Sequence, residues 1–217
     1  MFSCIRIDFS CIRTGFSFIR TGFSFIRMSV LTILFTVLTG CTTAPAPTTE
    51  WQTHRAALSA IDSYTARGKV AFIASDTRFS ANLYWHHTPN ASTLRLTNFL
   101  GTTLLSLTMN AQGATLIDDQ GKQYQDPHPA RLIAYLTGAR LPVDALAPWL
   151  IGQPRAQDRF SLGPDNRLAA LDDEQGWHID YQDYSAETQP ALPTRITLSN
   201  DQQTVKLMIS TWTLDND

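Results

Sequence analysis

Apolar and polar side chains change period twice along the chain, and each change marks a different kind of element. Trp51, His54, Leu58 and Ile61 recur every three to four residues, as on one stripe of a short helix. From Tyr64 the period drops to two. Tyr64, Ala66, Gly68, Val70, Phe72 and Ala74 share one face of a strand, with Thr65, Arg67 and Lys69 on the other. Phe79, Ala81, Leu83 and Trp85 repeat the alternation, and Ser75-Asp76-Thr77 between the two runs predicts a hairpin. Further strands pass through Leu94 and Leu96, through 102–109 with Leu105, Leu107 and Met109 in phase, and through Leu116. Turn residues at 110–113 and 118–121 bracket the last of these.

The middle of the chain follows a helical period instead. Residues 129–136 predict a helix with Leu132, Ile133 and Leu136 on one face, Pro129 at its start and Gly138 as its stop. Residues 144–151 predict a second, broken element. Asp144 is its expected N-cap, and Pro148 removes a hydrogen bond four residues on. Strands resume at 159–162, 167–171, 177–181, 194–198 and 205–209, and the alternation slips between Ile209 and Trp212, where a bulge or a strand end is expected. The sum is a single mainly β domain with short helices. Its expected form is an unclosed, strongly curved antiparallel barrel of about ten or eleven strands with the helices as a lid. If the helices rest over the mouth without filling it, an apolar cavity survives beneath.

The N-terminus alters the composition arithmetic. Residues 2–29 are four near-copies of a seven-residue unit, starting at Phe2, Phe9, Phe16 and Phe23. They read either as a coding-sequence repeat upstream of a start at Met28, or as a basic extension of a signal peptide. The apolar run Met28–Leu38 is about half of what a bilayer span needs and fits the core of a secretory signal. Leu38-Thr39-Gly40-Cys41 resembles the lipobox at which bacterial lipoproteins are acylated and cut, making Cys41 the lipidation site. Thr42 in second position, in place of Asp, favours outer-membrane delivery. The expected organisation is therefore a signal segment at 1–40, a lipidated cysteine and Pro/Thr/Ala-rich tether at 41–50, and a folded domain at 51–217.

Without residues 1–40 the chain has 13 basic and 18 acidic side chains, against 17 and 19 in full. That mild acidity argues against a nucleic-acid footprint, and 43% hydrophobic residues excludes a disordered chain. The cysteines are Cys4, Cys11 and Cys41, so the mature chain keeps one and forms no internal disulfide.

Candidate catalytic chemistry is sparse. The histidines at 54, 86, 87, 128 and 178 lack metal-ligand spacing, and adjacent His86 and His87 point to opposite faces of a strand. The acidic run Asp172-Asp173-Glu174 is expected in a solvated turn. No nucleophile elbow, phosphate-binding loop or Cys-His pair occurs, so no enzyme activity, metal or cofactor is expected. The anomaly is Asn98-Phe99-Leu100-Gly101, where turn residues enclose two large apolar side chains, with Leu104 nearby. Burying each would contribute about 1.5–3 kcal/mol. Either the turn folds onto the core, or it stands out as an apolar finger for lipid or an acyl chain.

Several segments together resemble one family, the outer-membrane lipoprotein receptor LolB. They are Tyr64-Thr-Ala-Arg-Gly68, Tyr84-Trp85, Leu96-Thr-Asn-Phe-Leu-Gly101, Leu136-Thr-Gly-Ala-Arg-Leu-Pro-Val143, Trp149-Leu-Ile-Gly-Gln-Pro154, Gln189-Pro-Ala-Leu-Pro193 and Lys206-Leu-Met-Ile-Ser-Thr-Trp212, in family order over nearly all of 51–212. The resemblance implies an unclosed barrel with a helical lid over a cavity for acyl chains. It also implies transfer of acylated lipoproteins from LolA, a soluble periplasmic carrier, into the outer membrane by a single copy of the chain. The family's projecting loop usually reads Asn-Pro-Leu-Gly, with its exposed Leu tied to membrane placement. That role maps onto Leu100, between Phe99 and Gly101, and Phe99 stands where Pro is usual. Trp85, Leu105, Leu107, Leu132, Ile133, Leu136, Leu146, Trp149 and Leu150 are the expected lining of the cavity or lid. The competing expectation is a scaffold lipoprotein that recruits an envelope assembly partner through the same loop.

Overall fold

Eleven strands form one open antiparallel sheet in the computed structural model, which describes residues 48–138 and 140–215. The signal segment and Cys41 lie outside the described residues. The first strands run outward as a meander: β1 (Tyr64–Ala74), β2 (Arg78–His87), β3 (Ala91–Thr97), β4 (Thr103–Asn110), β5 (Gly113–Asp118) and β6 (Gln123–Asp126). The last five return on the other side: β7 (Arg159–Leu162), β8 (Leu168–Asp172), β9 (His178–Tyr184), β10 (Pro193–Ser199) and β11 (Gln203–Leu214). β1 pairs with β11, joining the two meanders at the sheet's centre and leaving β6 and β7 as edges.

Register converts the period-two pattern into continuous apolar rows. Ala66, Trp85, Leu94, Leu107 and Leu116 are cross-strand neighbours from β1 to β5. Phe72, Val205, Leu198, Ile179 and Leu171 form the matching row from β1 to β8. Each of these ten side chains is buried, so one face of the sheet is the floor of a single core. β6 escapes the sequence pattern because Tyr124 is its one large apolar residue; it pairs with β5 through backbone hydrogen bonds all the same.

The slip near Ile209 is a bulge. Gly68 opposes Ile209 and Arg67 opposes Thr211, so Ser210 is the extra residue, and its hydroxyl donates to the Arg67 carbonyl at 3.1 Å. Gly68 is required there. A Cβ would lie 2.8 Å from the Ile209 Cα and press on the Met208 carbonyl oxygen.

Helix α1 (Thr49–Ser59) begins inside the expected tether, because the Thr48 hydroxyl accepts from Trp51 N–H at 3.1 Å and caps it. Trp51 and Leu58 bury the predicted stripe. Helix α2 (Pro129–Thr137) packs against β5 and β6. A 3-10 turn (Val143–Ala145) leads into the five-residue helix α3 (Leu146–Leu150). The break expected around Pro148 is this 3-10 to α junction. Asp144 does not cap it: it lies inside the 3-10 turn, and no side chain caps either piece.

Candidate functional site

The turn between β3 and β4 holds Phe99 and Leu100 out in water, 88% and 75% exposed. Asn98 builds it. Its side-chain oxygen accepts from the backbone N–H of Leu100 and of Thr102, each at 2.9 Å, and its own N–H reaches the Thr102 carbonyl at 2.9 Å. Gly101 closes the turn at φ 88°, a conformation glycine adopts without penalty. From the neighbouring strand, Asn82 donates to the Asn98 carbonyl at 2.9 Å. These bonds supply the stiffness that a proline would otherwise lend. Leu104, 36% exposed, adds an apolar shoulder. The turn does not fold onto the core.

The expected lining residues divide by position. Trp85, Leu105 and Leu107 lie on the sheet floor; Leu132, Ile133, Trp149 and Leu150 face it from α2 and α3, and all seven are buried in the core cluster. Leu146 is half-buried against that cluster, whereas Leu136 is on α2 with its side chain outside the described residues. In this structure the seven buried side chains pack into one core, with Leu146 against it. A hollow of about 360 Å3 opens at the margin of the helices, between Ala134, Leu141, Pro142, Ala145 and Trp177.

Sequence reasoning passed over the groups that fix α3. So short a helix has its carbonyls in what is effectively a last turn, without intrahelical partners. Tyr64 donates to the Ala147 carbonyl at 2.6 Å and Tyr181 to the Trp149 carbonyl at 2.9 Å. Burial pushes both hydroxyls well above their ordinary pKa, so they remain donors. On the other side, Trp149 Nε1 donates to Asp158 Oδ2 at 2.8 Å. Arg155 clamps the same carboxylate through its backbone N–H at 2.8 Å and its guanidinium at 2.9 Å, while stacking on the Trp149 ring. Burial raises the Asp158 pKa, but these donors outweigh it and hold the group below the ordinary carboxylate range. Tyr64 on β1, Tyr181 on β9, Trp149 on α3 and Asp158 in the 155–158 turn carry no local sign of this convergence.

The histidines do not converge. His86 contacts Thr65 at 2.9 Å, His87 contacts Ser92 at 2.7 Å, and His178 sits between Asp172 and Asp180. The acidic run does form a turn, yet Asp173 is buried, not solvated as expected. Its Oδ1 accepts from the backbone N–H of Gln175 and Trp177, both at 2.8 Å, so the turn's own donors draw it inward. Among the described residues no cluster of His, Cys, Asp and Glu suits a metal, and no helix is long and apolar enough to cross a membrane.

The sheet with its helical face has a counterpart among solved structures. A DUF1329 family protein from Desulfovibrio piger superposes with a TM-score of 0.56 at 6% identity, covering 79% of this chain and 94% of that one, which makes it a likeness of fold alone. Sequence relatives are closer. The outer-membrane lipoprotein LolB of Vibrio vulnificus (strain YJ016) is 41% identical over 184 residues, covering 81% of this chain and 91% of the relative. That of Serratia proteamaculans (strain 568) is 35% identical over 180 residues, covering 81% and 86%. The family model described as outer membrane lipoprotein LolB matches residues 62–212, from just before β1 to the bulged end of β11, and the chain belongs to that family.

Proposed function

We propose that this chain is a receptor, anchored to the outer membrane through acylated Cys41, that accepts acylated lipoproteins from the periplasmic carrier LolA and inserts them into the outer membrane. Family membership supports the coarse part of this reading, a role in outer-membrane lipoprotein localisation. The observation that carries the rest is the Phe99–Leu100 turn, where two large apolar side chains are kept in water by a dedicated set of hydrogen bonds. A fold accepts that exposure where an apolar phase will meet it.

The energetics set the mechanism. A 16-carbon chain, at about 0.8 kcal/mol per methylene, has roughly 12 kcal/mol of drive to leave water. Cargo with two or three such chains needs shelter across an aqueous gap. The shelter is the apolar interior between the sheet floor and α2–α3, opened when the helices lift. Transfer then runs downhill from carrier to receptor to bilayer without nucleotide, and the Phe99–Leu100 tip brings the open receptor to the lipid. Nothing in these steps makes or breaks a covalent bond.

Displacement of a fluorescent fatty acid from the soluble domain tests this reading. Binding at micromolar ligand supports it, and absence of binding at that concentration overturns the acyl shelter. The close packing of the seven lining residues favours a second reading, a scaffold lipoprotein with a filled core. That reading predicts no fatty-acid binding and stable co-purification with an integral membrane complex.

A further inference from the structure

The face of the sheet turned away from the core carries a groove of about 820 Å3, walled by β9, β10, β11, β1, β2 and β3. Register explains its contents. Asp183, Arg195, Met208, Lys69, Asn82 and Thr97 are successive cross-strand neighbours in one row. The next row brings Arg67, Tyr84 and Arg95 side by side. The bulge at Ser210 lies among them, and bulged strands bend, which accounts for a hollow on a face that would otherwise be flat.

The groove is basic on a domain that is not. It gathers Arg67, Lys69, Arg95 and Arg195 around one carboxylate, Asp183, while the chain from Cys41 onward has five more acidic than basic side chains. Arg195 pairs with Asp183 at 3.0 Å. Among the described residues, Arg67, Lys69 and Arg95 have no carboxylate within ion-pair distance and are exposed. The Arg67 and Arg95 guanidiniums instead lie against the one Tyr84 ring, 4.6 and 5.7 Å from its centre, which presets their positions. Holding like charges together without counter-ions destabilises the isolated domain, so the arrangement fits an anion.

Position identifies the anion's source. Thr97 ends the first row, and the next residue is Asn98, root of the Phe99–Leu100 turn; Asn82 of the same row bonds its carbonyl. The second row is two residues further along the strands, roughly 7 Å from the first. An apolar tip that enters a bilayer therefore brings Lys69, and then Arg67 and Arg95, to the depth of the headgroups. We propose that this groove is a site for anionic lipid headgroups: it binds their net negative charge as the tip inserts, making the membrane contact both apolar and electrostatic. The proposal rests on the reading of the Phe99–Leu100 turn as a membrane contact and adds a lipid preference to it.

The test uses residues 47–217, a compact unit that holds every described strand and helix, in flotation with vesicles of phosphatidylcholine alone or of an equal mixture with phosphatidylglycerol. The mixed vesicles should bind the wild type on the order of a hundredfold more tightly, a preference lost in high salt. Arg67→Gln/Lys69→Gln/Arg95→Gln should erase the preference while leaving binding to phosphatidylcholine unchanged. Phe99→Ser/Leu100→Ser should weaken binding to both vesicles. A triple variant that keeps the full preference overturns the groove and leaves the tip untouched. A tip variant that binds both vesicles normally overturns the tip reading instead. A triple variant normal on vesicles but slow to take cargo from the carrier assigns the groove to an acidic protein, which also overturns the proposal. Should the triple variant lose its circular-dichroism signature, Lys69→Glu alone must lower the preference at least tenfold.

Discussion

Tyr181 on β9 donates its hydroxyl proton to the main-chain carbonyl of Trp149 on α3, 2.9 Å away, and so ties the short helix to the sheet. Tyr64 does the same for Ala147 from β1. With the Trp149–Asp158–Arg155 clamp, these are point contacts on a helix otherwise held by packing, which suits the lifting cover proposed above. Tyr181→Phe keeps the ring and removes one bond, and the carbonyl retains the Gly152 N–H at 3.0 Å. The expected loss is therefore only about 0.5–1.5 kcal/mol. Amide exchange should quicken at 146–152 more than in β1 or β11, and fatty-acid association should speed up. Unchanged exchange in that segment would show that the hydroxyl does not restrain the helix.

Gly68 is a site of the opposite kind, where the smallest change is costly. Gly68→Ala pushes a methyl group into the backbone of β11 at the centre of the sheet, where neither strand has room to retreat. Overpacking of this sort costs about 1–3 kcal/mol, and the backbone obstacle places it at the upper end. Gly121→Ala, whose Cβ meets nothing within 4 Å, is the control for general glycine effects, though its φ of 80° adds its own strain. Chemical denaturation should separate the two by more than 1 kcal/mol.

How much of this was legible in the sequence depends on the range over which each feature is set. Period-two alternation is local, so the strands from Tyr64 to Met109 and the slip at Ile209 could be read directly. The two apolar residues inside a turn at 98–101 were conspicuous for the same reason. β6 was invisible because backbone pairing with β5, not side-chain pattern, makes it a strand. Asp173 looked solvated because carboxylates usually are, and only the geometry of its turn draws it inside. The basic groove was out of reach altogether. Lys69 and Arg195 share a row across β1, β11 and β10 only because the chain's two meanders meet there.

Acid should loosen the α3 clamp before the rest of the domain. Asp158 has its pKa depressed in the folded state, so it contributes stability above the ordinary carboxylate pKa and loses it as pH falls through the folded value. Asp158→Asn keeps the shape but gives up charge-assisted bonds to Arg155 and Trp149, at a cost of about 1.5–3 kcal/mol near neutral pH. The gap in Tm between variant and wild type should start to close only below the ordinary carboxylate value of 3.8 and vanish as pH falls through the folded value. A gap that stays constant as far into acid as the domain remains folded would remove the carboxylate's charge from the account.

His178 has the opposite sign. The hydrogen bond that His178 donates to Asp172 at 2.7 Å raises its pKa, outweighing burial, with Asp180 assisting at 3.3 Å. Its contribution is fully present below the ordinary value of 6.5 and is lost as pH rises through the folded value. The side chains are about half exposed, so solvent screening keeps the effect small. His178→Gln should lower Tm slightly at pH 6 and leave it unchanged at pH 9, as thermal melts across that range would register.

Leu100→Glu tests what the exposed turn is for, because the side chain touches too little of the protein to matter for folding. At 75% exposure its replacement should shift stability by no more than about 0.5 kcal/mol. A carboxylate at the tip resists entry into the bilayer, so delivery of cargo into vesicles should slow while uptake from the carrier stays normal. Asn98→Ala is the companion, since it keeps Phe99 and Leu100 but removes the two bonds that aim them. If a stiff tip matters, Asn98→Ala slows delivery as well, and Phe99→Pro in that background restores part of the rate by fixing φ. Normal delivery by Leu100→Glu, measured in vesicles that accept cargo from the wild type, would take the turn out of the mechanism.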